Sequence, residues 1–179
     1  MPLVSLASLS LQSLRSAILE SRGAEGVRIL QEAGYATGDA LYNALTEELN
    51  AEGSASPDQL PSDAFAVRLG AFMRARGWGE VNVLPDEDSG DAVAIIVTVQ
   101  DGAEARAAGG CEDGSPFTTG VLSGLLSRLV EAPVAVMAVE TGGAEAPLFC
   151  RFLAASPAAV QVAWEAMAAG RSWREALRT

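Results

Sequence analysis

Two spacings of apolar residues run through this chain, and they separate its predicted helices from its predicted strands. The longest helical pattern covers residues 24–49, where apolar and small residues return every three or four positions. Gly34 and Gly38 occupy two of those positions, one turn apart. Glycine inside a helix costs about 1 kcal/mol relative to alanine, so the pair predicts the close approach of another backbone or of a ligand.

Helices are also predicted before and after this segment. Residues 1–22 carry several leucines on one helical face, and we interpret this stretch as an N-terminal arm or a dimerisation helix. Residues 51–63, rich in Gly, Ser and Pro, predict a loop, after which Ser62 or Asp63 caps a helix with a Phe and Met stripe. Residues 101–110 predict a connector, in which Ala and Glu favour a short helical turn but the glycines indicate mobility.

Two Ser-Pro pairs mark the starts of further helices. Serine is a favourable N-cap and proline fits the first helical position, so Ser115-Pro116 and Ser156-Pro157 each predict a helix N-terminus. The first of these helices contains Gly120 and Gly124, a second glycine pair one turn apart. The two glycine pairs together indicate closely packed helices or space for a ligand.

Four segments have the composition of strands. Residues 78–84 alternate between apolar and polar, whereas residues 91–100 are nearly all apolar and predict a central strand buried on both faces. Residues 134–140 and 148–153 predict a hairpin. Local connections favour antiparallel pairing. The predicted fold is therefore α+β, a small twisted antiparallel sheet packed against several helices, in a single domain over residues 1–179.

Charge and composition narrow the function. The formal net charge is -11, and the chain contains neither lysine nor histidine. This acidity argues against nucleic acid and against an anionic membrane surface as partners. The absence of histidine removes the commonest acid–base group and the commonest metal ligand. The N-terminus has no basic leader with a cleavage site, and no apolar run is long enough to span a bilayer, so we expect a cytoplasmic protein.

The motifs of common enzymes are missing from the sequence. The glycine pairs lack the spacing and the strand–turn–helix context of a phosphate-binding loop. Without histidine, a serine triad is excluded. We therefore predict that the protein is not an enzyme and has no catalytic residues.

Cys111 and Cys150 are the two thiols of the chain. A reactive thiolate needs a positive neighbour, whereas Glu112 and Asp113 follow Cys111. Two distant cysteines do not make a disulfide scaffold in a chain of this length. Small buried hydrophobic residues are therefore the favoured interpretation of both, and metal ligands or nucleophiles are the alternative.

Glu140 ends an apolar strand, where a carboxylate is either solvated or paired, since a buried unpaired charge is very costly. Arg151 on the neighbouring predicted strand is a candidate partner. Whether Glu140 shares a face with Arg151 or with Cys150 depends on the hairpin register, because a one-residue slip exchanges the two faces.

Segment 111–152 carries a series of residues that together suggest a family. In chain order they are Cys111, Phe117-Thr118-Thr119-Gly120, Gly124-Leu125-Leu126, Pro133-Val134, Glu140 and Cys150-Arg151-Phe152. With these residues the segment resembles the 4-vinyl reductase (V4R) domain family, whose fold is shared with the Bet3-type subunits of the TRAPP tethering complex. The resemblance implies a small-molecule-binding module. Some family members are sensory domains of regulators for aromatic compounds, and others are linked to bacteriochlorophyll synthesis.

The same resemblance implies a cysteine-rich metal site near the hairpin. Family members often have another cysteine where this chain has Thr141-Gly142-Gly143, so Cys111, Glu140 and Cys150 remain as ligands. A closed tetrahedral zinc site takes four ligands, mostly Cys or His. We therefore expect no cofactor, and zinc only if these three residues hold it.

We predict that the protein binds a small apolar or aromatic molecule between the sheet and the helices that start near Ala64 and Pro116, and that it serves in sensing or regulation. The predicted pocket residues are Phe65, Phe72, Trp78, Phe117, Gly120, Gly124 and Phe149. The alternative is a TRAPP-like interaction scaffold with no small ligand, which pairs as a homodimer or with a partner protein. A reductase activity rests on the family name alone.

Overall fold

The computed structural model describes residues 7–85, 93–108, 110–111, 114–142 and 148–178. Its helices are α1 (Ser8–Arg22), α2 (Ala24–Ala51), α3 (Ser62–Ala75), α4 (Ala103–Ala108), α5 (Pro116–Val130), α6 (Pro157–Ala168) and α7 (Trp173–Leu177). Its strands are β1 (Glu80–Pro85), β2 (Ile95–Gln100), β3 (Ala135–Thr141) and β4 (Phe149–Ala155), and a 3-10 turn covers Pro57–Gln59. None of the described helices combines the length and the apolar character needed to cross a membrane.

The four strands form one antiparallel sheet in the order β1-β2-β4-β3. As predicted, β2 is an interior strand, with β1 and β4 as its neighbours. β3 and β4 pair with each other, also as predicted. The predicted α+β class, an antiparallel sheet packed against helices, is therefore confirmed.

Helices cover both faces of the sheet, because successive strand residues point to opposite sides. On β4, Phe152 faces the larger core, which also contains residues of α2, α3 and α5. Leu153 faces a smaller core, built with α6 and α7. Both side chains are fully buried, at 0% exposure, so β4 is a strand on which the two helical layers meet.

The two glycine pairs bring α2 and α5 into direct backbone contact. A Cβ added at Gly38 would overlap the carbonyl oxygen of Val121 on α5, and one added at Gly124 would overlap that of Tyr35 on α2. The other glycine of each pair makes an equivalent contact. Of the two interpretations of these glycines, close approach of another backbone is therefore the correct one.

Gly38→Ala is expected to lower the free energy of unfolding by about 3 kcal/mol, because α2 and α5 must move apart to admit the methyl group. Urea unfolding followed by circular dichroism measures the change. Gly110→Ala is the matched control, since an added Cβ there meets nothing within 4 Å and should change stability by less than about 0.5 kcal/mol. Equal stability of the two variants would contradict the close packing of α2 on α5.

The described part of the N-terminal segment is a helix that packs on other helices. α1 lies against α2, where Gly26 approaches the backbone of Ile18, and against α4. Residues 1–6 of the predicted arm lie outside the described residues. Leu9 and Leu14 are 75% and 55% exposed, so these contacts use only part of the apolar face of α1. Its role in dimerisation stays a prediction.

The predicted N-caps are correct at one of three helix starts. Ser156 accepts a hydrogen bond from the backbone N–H three residues later, at 3.3 Å, and caps α6. Ser115 has left-handed backbone angles (φ 48°, ψ 66°), and its side chain makes no cap bond to α5. Pro61 holds the N-cap position of α3, so the predicted cap by Ser62 or Asp63 is wrong.

Candidate functional site

A pocket of about 780 Å³ opens between α3, the sheet and the end of α5. Four segments line it: residues 57–63, the following turn of α3, the paired ends of β1 and β2, and Leu129-Val130 in the last turn of α5. The 3-10 turn contributes Pro57, which is buried and also lines the pocket. The site is therefore assembled from segments that are distant in sequence.

The floor and much of the rim of this pocket are apolar. The floor residues, all in or packed against the larger core, are Leu60, Phe65, Val83, Ile95 and Leu129. The rim residues, exposed at 71%, 63% and 47%, are Val67, Leu84 and Val130. Water-exposed apolar side chains around a concave site favour the binding of an apolar molecule.

Four polar side chains also line the pocket. They are Asp58, Ser62, Asp63 and Asn82. Asp58 and Asp63 are charged, whereas Ser62 and Asn82 are not. Together the four side chains offer hydrogen-bond acceptors and donors to the polar part of a ligand. A mainly apolar site with a few polar groups is the usual composition of a small-molecule pocket.

The pocket lies beside α3, as predicted, but at the end of α5 and not at its start near Pro116. Phe65 is the one predicted pocket residue that lines it. Gly120 and Gly124 lie against the backbone of α2 instead. The prediction that these glycines leave room for a ligand is therefore wrong, since the space beside them is filled by another helix.

The other predicted aromatic residues lie elsewhere. Phe72 is 2% exposed in the larger core, and the guanidinium group of an α3-end arginine lies 3.5 Å from its ring centroid. Trp78 and Phe117 stack on each other, with ring centroids 6.0 Å apart. The ring of Phe149 covers Gly142. These side chains make packing contacts and do not line this pocket, so their role in ligand binding stays a prediction.

Sequence reasoning missed the turn and the strand end that complete the pocket. Pro57, Asp58 and Leu60 belong to a stretch interpreted as a plain loop, and Leu84 and Pro85 close a short strand. The usable signal was Leu60, an isolated apolar residue in a polar segment, which packs against the core. An apolar residue in such a loop indicates that the loop folds back over other apolar residues.

Cys111 and Cys150 are joined by a disulfide, with their Cα atoms 6.1 Å apart. Both are buried, at 1% and 2% exposure, and the bond ties the segment before α5 to β4. Both cysteines are buried as predicted, but the expectation that they make no disulfide is wrong. Disulfides are rare in the cytosol. The cytoplasmic location stays a prediction, and the disulfide weighs against it.

Glu140 forms an ion pair with Arg151, across the β3–β4 pair. A register shift between Ala138 and Glu140 places these two residues opposite each other, while Thr141 pairs with Cys150. Within the described ranges, no group of three or more His, Cys, Asp or Glu residues could hold a metal ion. The three predicted metal ligands therefore do not fit a metal site, because two are bonded to each other and the third pairs with an arginine.

A buried carboxylate lies at the start of α5. Glu104, 0% exposed, accepts hydrogen bonds from the N–H groups of Thr118 at 2.7 Å and Phe117 at 3.2 Å. The Arg15 Nε atom of α1 lies 3.4 Å from the same carboxylate. Glu104 thus caps α5 in place of Ser115. It belongs to α4, so the predicted mobile connector is in part a helix with a structural role.

This architecture is that of an α+β domain with helices on both faces of an antiparallel sheet. The same fold is seen in the phenol-responsive sensory domain of the transcription activator PoxR, whose crystal structure was determined with phenol. The TM-score is 0.65 at 16% sequence identity, and the match covers 100% of this chain and 85% of that one. At this identity the likeness shows the fold alone. Neither a family model nor a curated protein matches the chain.

Proposed function

We propose that this protein is a non-enzymatic binding domain that holds a small apolar or aromatic molecule in the pocket beside α3, and that it serves in sensing or regulation. The observation that carries this proposal is the pocket itself, with a volume of about 780 Å³. Small-molecule sites typically have volumes of roughly 300–1,000 Å³. The apolar floor would hold a ring or an alkyl group, and the few polar side chains would orient it.

The chemistry of the lining supports binding over catalysis. Asp58 and Asp63 are the ionisable side chains among the described lining residues, and both are exposed. Covalent catalysis needs a nucleophile beside a base that activates it. The two thiols of the chain are held in the disulfide, away from the pocket. We therefore propose that the ligand leaves this domain chemically unchanged.

Two likenesses support a sensing role. The fold is that of a phenol-responsive sensory domain, and segment 111–152 resembles the V4R family. We propose that this chain is a V4R-like domain whose occupancy is read by a partner protein. The neighbour's response to phenol motivates simple phenols as the first ligands to test.

Phenol is expected to shift the ¹⁵N-amide resonances of residues around the pocket when it is titrated into the protein. Ala66→Phe, which places a ring on the α3 side of the pocket, is expected to weaken this binding by about tenfold or more, a loss of roughly 1.4 kcal/mol. Ala36→Phe makes the same change at an exposed position of α2 and serves as the matched control.

If the pocket is the binding site, Ala66→Phe weakens phenol binding and Ala36→Phe leaves it unchanged. Equal binding by both, or shifts that cluster away from α3 and the β1–β2 end, would show that phenol binds elsewhere. If neither phenol nor larger uncharged aromatic probes shift any resonance, small-molecule binding itself is refuted. Thermal unfolding of each variant checks that the added ring leaves the fold intact.

Exposed leucines on α1 favour a second candidate, an interaction scaffold that pairs as a homodimer or with a partner protein. Leu9 and Leu14 remain 75% and 55% exposed in the single chain, and burial of such side chains would stabilise an interface. Size-exclusion chromatography with light scattering tests this candidate. A mass of one chain, 18.5 kDa, at high protein concentration would count against self-pairing.

A further inference from the structure

The polar part of the pocket carries charge of one sign. Asp58 and Asp63 line it, together with the uncharged Ser62 and Asn82. Within the described part of the chain, no arginine lines this pocket. A ligand that enters therefore meets two carboxylates and no cationic side chain.

Two arginines that are adjacent in sequence to lining residues of α3 and α5 are paired with other carboxylates. Arg68 on α3 lies 2.9 Å from Glu52, at the end of α2. Arg128 in the last turn of α5 lies 3.2 Å from Asp39 of α2. Each guanidinium group is matched by a carboxylate, which reduces its effect on the charge of the pocket aspartates.

Two helix ends lie at the pocket, and their partial charges have opposite signs. Leu129 and Val130 are the last residues of α5, and the C-terminal end of a helix carries a partial negative charge. The N-terminal end of α3 has the opposite sign. Asp63 lies in the first turn of that helix and offsets its positive charge.

The negative charge of Asp58 also affects the pKa of Tyr42. Burial raises the pKa of Tyr42, and the negative charge of Asp58 raises it further, whereas Arg128 lowers it. Asp58 therefore acts on a tyrosine that belongs to the larger core. The same charge would act on a charged group bound at the pocket, which Asp58 lines.

We infer that the pocket selects an apolar amine, with its apolar body on the floor around Phe65, Ile95 and Leu129 and its ammonium group at Asp58 and Asp63. The inference rests on the proposed function, because it requires a ligand in this pocket. The two aspartates are then the residues that determine specificity. A carboxylate of the same shape binds more weakly, because like charges repel at short distance.

Three probes that share one ring separate the effect of charge from ring binding: benzylamine, benzyl alcohol and benzoate. In ¹⁵N NMR titrations of the full chain at low salt, benzylamine is expected to bind about fivefold more tightly than benzyl alcohol, the gain from two exposed ion pairs. Benzoate is expected to bind more weakly than the alcohol. At about 1 M NaCl the preference should shrink, because the screening length falls to about 3 Å.

Asp58→Asn/Asp63→Asn is expected to abolish the difference between benzylamine and benzyl alcohol. The matched control is Glu165→Gln/Glu175→Gln, which removes two charges from a separate surface on α6 and α7 and should keep the preference for the amine. Equal affinities of the three probes for the wild type, or the same loss in both double variants, would overturn the inference and leave the proposed function standing. If none of the three probes binds although phenol does, the inference alone is overturned. If phenol and the larger aromatic probes also fail to bind, the proposed function is overturned with it.

Discussion

Glu104→Ala is expected to lower the free energy of unfolding by about 4 kcal/mol, the cost of breaking a buried ion pair by removing one partner. The lost carboxylate is fully buried and accepts the N–H groups of Phe117 and Thr118. Its removal leaves these two donors of the first turn of α5 without their acceptor. It also takes from Arg15 the carboxylate that lies 3.4 Å from its Nε atom.

Urea unfolding of two Glu104 variants separates the effect of the lost charge from that of the lost hydrogen-bond acceptor. Glu104→Gln keeps an acceptor for the helix N–H groups but removes the charge, so a smaller loss of about 2 kcal/mol is expected. Glu20→Ala, at an exposed position of α1, is the control and should change stability by less than about 0.5 kcal/mol. A Glu104→Ala variant as stable as the Glu20→Ala control would show that Glu104 does not join α1, α4 and α5.

Cys111→Ala/Cys150→Ala is expected to lower the free energy of unfolding by about 4 kcal/mol. The disulfide connects residues 39 positions apart, and a cross-link over a loop of that length restricts the unfolded chain by roughly this amount. The expected effect is therefore on the stability of the whole fold, and neither cysteine is among the described residues that line the pocket.

Unfolding with and without dithiothreitol measures this effect. The wild type should lose stability in the reductant, whereas the double variant should respond little, since it has no disulfide to reduce. Intact mass under non-reducing conditions provides an independent check. A wild-type mass that corresponds to two free thiols, with stability unaffected by the reductant, would refute the disulfide.

Most secondary structure could be predicted because its signals are local. The helix predicted over residues 24–49 is α2, Ala24–Ala51, and its periodicity is visible in any short window. The apolar run before residue 100 became the interior strand β2, since a strand covered on both faces has no polar side. The pattern of apolar residues in each segment reflects which of its own faces are buried. The helix and the strand can therefore be recognised without reference to distant residues.

Pairings between distant residues could not be predicted in the same way. Ser115-Pro116 has the form of an N-cap, yet the cap of α5 comes from Glu104, which belongs to a separate helix. The sequence does not determine whether Glu140 shares a face with Arg151 or with Cys150, and a register shift in the hairpin places it opposite Arg151. Both outcomes depend on how whole elements pack, and an irregularity of one residue changes them.

The pocket shows the same division. Aromatic residues are frequent in both cores and pockets. An aromatic residue in the sequence therefore does not show whether it lies in the core or lines the pocket. Phe65 and Phe72 lie two turns apart on α3 and both belong to the larger core, but only Phe65 also lines the pocket. Asp58 and Asp63 line the pocket only because the turn before α3 packs next to the end of α5.

Local spacing was enough to determine which segments of this protein are helices and strands, and net charge was enough to argue against nucleic acid as a partner. The glycine pairs correctly indicated a close contact, but its partners were identified by the packing of α2 on α5. The disulfide, the Glu104 cap and the pocket each depend on the tertiary structure. Each joins residues far apart in the chain, and contacts at such separations leave no periodic trace in a single sequence.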